Sequence, residues 1–199
     1  MEDLQSPESP GSSQNKINII NLSVISGLAW VGIGALLIYF FHDETFSENL
    51  IKGWAFSAQL LIGTLAGLAF GGAGILMMKQ PQLRAAVDQY AIMKQVKELS
   101  LSHSQIIVVS LIAGITEEVL FRAAIQPLLG IWVTSLLFIA IHGYVKFGSI
   151  PQAIFTLFTF LLSMMLGLLY MHFGVVSAMA AHAVYDYVVL YKISTEDRE

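Results

Sequence analysis

The sequence predicts an all-α membrane protein, a bundle of about six transmembrane helices. Three observations predict it. Hydrophobic residues make up 56% of the 199-residue chain and charged residues only 12%, whereas soluble domains carry about 25% charged residues. The apolar residues fall in runs of about 20, enough to cross a hydrocarbon core, and lack the two-residue alternation of a barrel strand. Charges collect in tails and connections, apart from one group of ionisable side chains set well inside the apolar runs.

Composition also excludes. A net charge of -4 with no basic stripe offers no surface to nucleic acid. The chain has no cysteine, which removes disulfides, thiolate zinc sites and a cysteine nucleophile. Any metal would need histidine and carboxylate ligands.

Residues 1–16 are rich in Ser, Pro, Glu and Gln and lack the basic flank and cleavage site of a signal peptide, so a disordered N-terminal tail is expected there. Residues 17–104 hold two spans and a polar connection. The first, Ile17–Phe41, ends in Tyr39, Phe40 and Phe41, aromatics suited to a membrane interface. A loop with Asp43, Glu44 and Glu48 against Lys52 follows. The second, Gly53–Met78, carries Gly63, Gly67 and Gly71 at four-residue spacing, a stripe that lets another helix approach closely. Lys79–Ser104 holds Lys79, Arg84, Lys94 and Lys97, and Leu83, Val87, Tyr90 and Ile92 give it the pattern of an amphipathic surface helix. Its basic excess assigns it to the cytosolic side and the acidic 43–48 loop to the other, which makes a multi-pass protein with both termini cytosolic.

Residues 105–191 form the core. Gln105–Gln126 crosses, Pro127–Gly130 turns, and Ile131–Val145 returns to Lys146, short enough to require tilt or a thinned bilayer. Ser149–Met171 crosses again, Phe173 and Gly174 turn, and Val175–Tyr191 completes the sixth span before a tail at 192–199. No repeat of 20 to 50 residues organises the chain.

The ionisable residues inside these spans are Glu117, Glu118, Arg122, His142, His182 and Asp186. An intramembrane charge costs several kcal/mol, about 2.5–3.5 on insertion scales, so such residues mark function. A helical rise of about 1.5 Å per residue puts Glu117 roughly 15 Å from the turn at Pro127, His142 roughly 18 Å from Gly130, and His182 and Asp186 roughly 12 and 18 Å from Gly174. They share one layer and can converge on an active site buried in the membrane. Glu118 and Arg122, four apart, pair on one helix face and leave Glu117 free, and His182 and Asp186 also share a face. Three carboxylates against one guanidinium leave a deficit of two positive charges. A divalent cation would balance it, as would a protonated Glu with a protonated His. The plain alternative is a buried polar network that only locks helices together, the role expected of Glu118 and Arg122 taken alone. His42, His103 and His172 are expected to be solvated, and Tyr144 and Trp132 to be interfacial or core aromatics.

No HExxH or GxGD motif is present, and Gly148-Ser149 lacks the second glycine of a membrane serine-protease turn. Water activated by a carboxylate remains, with or without a metal. Glu117-Glu118-xxx-Arg122, Phe138-xxx-His142 and His182-xxx-Asp186, in that order on successive spans, resemble the motifs of the CPBP intramembrane metalloprotease family. That group includes the CAAX prenyl endopeptidases of the Ras-converting type and the bacteriocin-processing and immunity proteins. The resemblance implies that Glu117 is the general base on water with help from His142. His182 and Asp186 would polarise the scissile carbonyl or, with Glu117 and His142, ligate zinc, while Glu118 and Arg122 brace the site. The last motif position is commonly Asn in the prenyl endopeptidases and is Asp186 here, which favours a metal-binding or histidine-orienting duty. The expected protein is an intramembrane endopeptidase with a membrane-associated peptide or protein substrate, zinc as its cofactor and the lipid bilayer as its medium. A non-catalytic immunity or scaffold protein of the same family is the alternative, followed by an ion or proton translocator.

Overall fold

A computed structural model describes residues 11–99 and 101–196, whose regular elements are all helices, with no strand among the described residues. The order is α1 (Gly11–Phe41), α2 (Phe46–Ile51), α3 (Phe56–Met78), α4 (Pro81–Val87), α5 (Ala91–Leu99), α6 (His103–Glu118), a π-helical segment (Val119–Ile125), α7 (Gln126–Ile141), α8 (Ile150–Phe173) and α9 (Val175–Glu196).

Among the described residues, four helical runs are long and apolar enough to cross a membrane: Ile19–Phe41, Phe56–Met78, His103–Ile141 and Ile150–Phe173. The third is broken at Gly130 (φ 75°, ψ 165°), a positive-φ conformation that suits glycine, so it consists of two helices that meet at the turn expected at 127–130. The six-span count further includes α9, whose His182, Asp186 and tyrosines dilute its apolar character.

Boundaries differ from expectation at both ends. α1 begins at Gly11, so residues 11–16 of the expected tail are helical: a helix once nucleated extends at one hydrogen bond per residue, and no proline interrupts Ser12–Lys16. Residues 1–10 and 197–199 lie outside the described residues, and α9 runs on to Glu196. The expected surface helix of the 79–104 connection is two short helices. Their Val87, Tyr90, Met93 and Val96 are buried against Phe155, Val189 and Ile193, so this amphipathic segment seals the helical core.

In the 42–52 loop, a capping box starts α2. The Thr45 amide and hydroxyl both donate to Glu48 Oε2 (2.7 Å each), and the Glu48 amide donates back to Thr45 Oγ1 (3.3 Å). These bonds favour the ionised carboxylate and hold Glu48 below the ordinary range.

The glycine stripe of α3 is buried against α9, the close approach its spacing predicted. A Cβ on Gly63 would collide with the Ser177 carbonyl, one on Gly67 would sit 2.5 Å from the Ala181 carbonyl, and one on Gly71 would sit 2.8 Å from Val188. Small residues let backbones touch, and packing is what drives helix association in lipid. Gly67→Leu is therefore expected to separate α3 from α9 and to lower the unfolding temperature of the purified protein in detergent, whereas the same change at Gly72, which faces open space, leaves it unchanged.

Candidate active site

The site is assembled where α6 meets α9. Gly114 lies so close to α9 that a Cβ there would be 2.6 Å from the Ala183 amide nitrogen. This approach brings Glu117 and Glu118, one turn further along, level with His182. Immediately after Glu118 the helix widens into the π segment. Such insertions re-aim side chains and are frequent at functional sites.

Glu118 and Arg122 are both fully buried. Arg122 Nε donates to Glu118 Oε2 (2.9 Å), Nη2 to Ser163 Oγ (2.9 Å) and Nη1 to Gln126 Oε1 (3.4 Å), while its guanidinium lies 5.4 Å from the Phe138 ring centre. Gln126 Nε2 in turn donates to the Gly167 carbonyl (3.1 Å). The pair thus ties the π segment to α8, as expected of a brace. It also has a duty that spacing did not reveal: Glu118 Oε1 lies 2.8 Å from His182 Nδ1. Because Glu118 faces an always-charged guanidinium, its carboxylate accepts here and His182 Nδ1 donates. His182 Nε2 is turned towards Asp186 Oδ2 at 3.6 Å.

On the adjacent wall, Glu117 Oε2 is 3.2 Å from His142 Nε2, though the two are not aligned as a hydrogen bond. The tautomer of His142 follows from its other nitrogen. Nδ1 lies 2.7 Å from the Phe138 carbonyl, which can only accept, so Nδ1 carries the proton and Nε2 faces Glu117. The imidazole is sandwiched between Phe138 (4.5 Å, 30°) and Tyr144 (5.5 Å, 20°). Phe138 also presents its edge relation to His182 (5.7 Å, 69°), so one ring spaces the two histidines.

His142 is not inside its helix, as expected, but at its C-terminal end. Gly143 (φ 70°) follows it, the Tyr144 amide donates to the Ile139 carbonyl (2.9 Å) and the Gly143 amide to the Ala140 carbonyl (3.0 Å). These are the paired bonds of a Schellman stop. Gly143 was the signal for it, and the return span ends at Ile141 instead of Val145.

Glu117, His142, His182 and Asp186 line a cavity of about 290 Å³, with Glu118 and Arg122 behind them. Most of the remaining wall is apolar, including Leu22 and Trp30 of α1 and Met93 and Val96 of α5. Tyr144, expected as an ordinary interfacial or core aromatic, and Tyr185 also face the cavity. His42 and His103 are not simply solvated: His42 Nε2 lies 2.9 Å from the Ala124 carbonyl, and His103 Nε2 lies 3.0 Å from the Tyr187 hydroxyl.

Glu117 Oε2 and His142 Nε2 have the separation of two ligands on one tetrahedral zinc, for which bond lengths of about 2.0–2.2 Å are usual. Among the described residues, however, no three His, Asp or Glu side chains converge at metal-binding distance, so the donor set in this arrangement is incomplete. Glu118 holds His182 by Nδ1, which leaves its Nε2 beside Asp186 as a second, separate pair.

Residues 100–188 match the family model described as type II CAAX prenyl endopeptidase Rce1-like. No curated protein and no solved structure gives a significant match.

Proposed function

We propose that the chain, whose residues 100–188 match the Rce1-like model of type II CAAX prenyl endopeptidases, is an intramembrane endopeptidase that hydrolyses a peptide bond with water activated by Glu117 and His142. Its six spans would hold the site about half-way into the bilayer. The observation that carries the reading is the adjacency of Glu117 Oε2 and His142 Nε2 on the cavity wall, two acceptors offered to one water molecule.

Glu117 takes a proton from that water as the oxygen attacks the scissile carbonyl, and His142 Nε2 accepts the second hydrogen bond and orients the attack. The carbonyl oxygen becomes an oxyanion. His182, held through Nδ1 by Glu118, directs Nε2 towards it and, when doubly protonated, donates to it, with Asp186 balancing the charge. As the intermediate collapses, the proton on Glu117 passes to the leaving nitrogen. General-base assistance of this kind is worth about 10²–10⁴-fold. No step is routed through zinc; metal analysis of the purified protein tests whether Glu117 and His142 gain one.

A membrane-associated peptide or protein with an apolar portion suits the mostly apolar cavity. The deciding experiment presents reconstituted protein with a peptide library that includes prenylated and unprenylated CAAX peptides. Site-specific cleavage supports the reading, and its absence with a partner still bound favours the immunity or scaffold alternative. The same preparations test orientation. With no native cysteine to interfere, Asp43→Cys is expected to react with an impermeant thiol reagent from the outside of cells and Lys94→Cys only after permeabilisation.

A further inference from the structure

His142 stands at the end of its helix as the C-cap, tied back by its amide and its Nδ1, which both meet the Phe138 carbonyl (3.3 and 2.7 Å). The chain after it must hold the rest. That chain, 143–146, is gripped by one hydroxyl from α8. The single Thr156 Oγ1 proton is shared between the Tyr144 carbonyl (2.7 Å) and the Lys146 carbonyl (3.0 Å), and Oγ1 accepts from the Lys146 amide at 3.1 Å. A threonine hydroxyl has one proton and two lone pairs, so this single group occupies most of its bonding capacity on three backbone atoms of one turn. Thr156 is 5% exposed, which shields the bonds from competing water. The gripped turn carries the Tyr144 ring, which closes the second face of the imidazole sandwich. Tyr144 is itself backed by Phe155 (5.6 Å, 84°) and Tyr90 (6.0 Å, 66°).

We propose that Thr156 and Tyr144 are positioning residues for His142: the Thr156 hydroxyl sets the turn, and the turn presses the Tyr144 ring onto the imidazole so that Nε2 stays aimed at Glu117. The role rests on the proposed hydrolysis, in which Nε2 orients the water, but the geometry can be read without any cleavage. Removing the hydroxyl frees the turn while leaving the substrate cavity's apolar walls in place. It therefore lowers kcat and spares KM.

The test joins a spectrum to kinetics. In protein labelled with ¹⁵N-histidine, the His142 resonances are assigned by comparison with His142→Gln. The wild type is expected to show one fixed tautomer with the proton on Nδ1. Thr156→Val is expected to average the two tautomers and to lower kcat by about 100-fold, the loss that a misplacement of about 1 Å can bring, with KM unchanged. Thr156→Ser, which keeps the hydroxyl, is expected to retain the wild-type spectrum and rate, Tyr144→Phe, which keeps the ring, to retain the wild-type spectrum, and Tyr144→Leu to average the two tautomers as Thr156→Val does. If Thr156→Val fails to fold, Tyr144→Leu decides by the same spectrum, since it leaves the hydroxyl clamp intact. A wild-type His142 spectrum in both Thr156→Val and Tyr144→Leu, or loss of the fixed tautomer in Thr156→Ser, overturns the proposal. A wild type that cleaves nothing sinks the hydrolytic reading alone, because the spectrum still answers the question about the clamp.

Discussion

Glu117→Gln is expected to lower cleavage by about 10²–10⁴-fold, the range that a positioned general base supplies, and to leave the protein folded. The two halves of this expectation have separate grounds. The carboxylate is the group on the cavity wall whose Oε2 has no aligned hydrogen-bond partner among the described residues, so a proton acceptor is lost with the change. The amide has the same shape and carries no charge, and a partly buried, imperfectly paired carboxylate contributes little to holding the helices. Rates measured on reconstituted protein, with unfolding temperature as the control, separate the halves. Cleavage at the wild-type rate in a folded Glu117→Gln protein removes Glu117 from the mechanism.

Arg122→Met is expected to have the largest effect on stability, about 3–5 kcal/mol, the cost of leaving one partner of a buried ion pair unpaired. Arg122 and Glu118 are both 0% exposed, so no solvent screens the carboxylate, which keeps only His182 Nδ1, and Ser163 and Gln126 lose their donor as well. The double variant Glu118→Gln/Arg122→Met removes the charge and keeps an oxygen that can accept from His182 Nδ1. It is expected to be more stable than Arg122→Met alone, the sign of coupling between contacting residues. Reversible unfolding in mixed detergent measures the cycle. If the double variant is less stable than the single one, the cost comes from lost packing and not from an unpaired charge.

Much of the helical pattern was legible because the bilayer imposes it: apolar runs near 20 residues, charge in the connections and a four-residue glycine stripe all have one physical reading. The Glu118–Arg122 pair was legible for a similar reason, since both partners lie on one helix and spacing alone sets their distance. The Glu118–His182 contact was not, because it depends on how α6 and α9 rotate against each other and on a π segment that the regular 3.6-residue period does not anticipate. Glu117 and His142 were expected to cooperate only through the family resemblance; their depths agreed, but depth does not give a neighbour. The place of Tyr144 against His142 was not legible because a return helix running through Gly143 to Val145 would carry its ring away from the imidazole. Once the helix stops at the glycine, the residue after it doubles back over the imidazole.

The placement of both members of the Arg122–Glu118 pair on one helical stretch bears on how the chain enters a membrane. A segment offered to the bilayer during synthesis is alone at first, before α8 or α9 exists to receive its charges. A lone Arg or Glu at mid-span costs about 2.5–3.5 kcal/mol on insertion scales. Here the guanidinium and carboxylate lie four residues apart, so each can meet its counter-charge as soon as its own helix forms. The stretch can thus partition with that pair already mutually neutralised, and Ser163 and His182 add their bonds when the later helices arrive. Glu117 has no such companion on its own helix, and its carboxylate must await the later helix that brings His142 beside it.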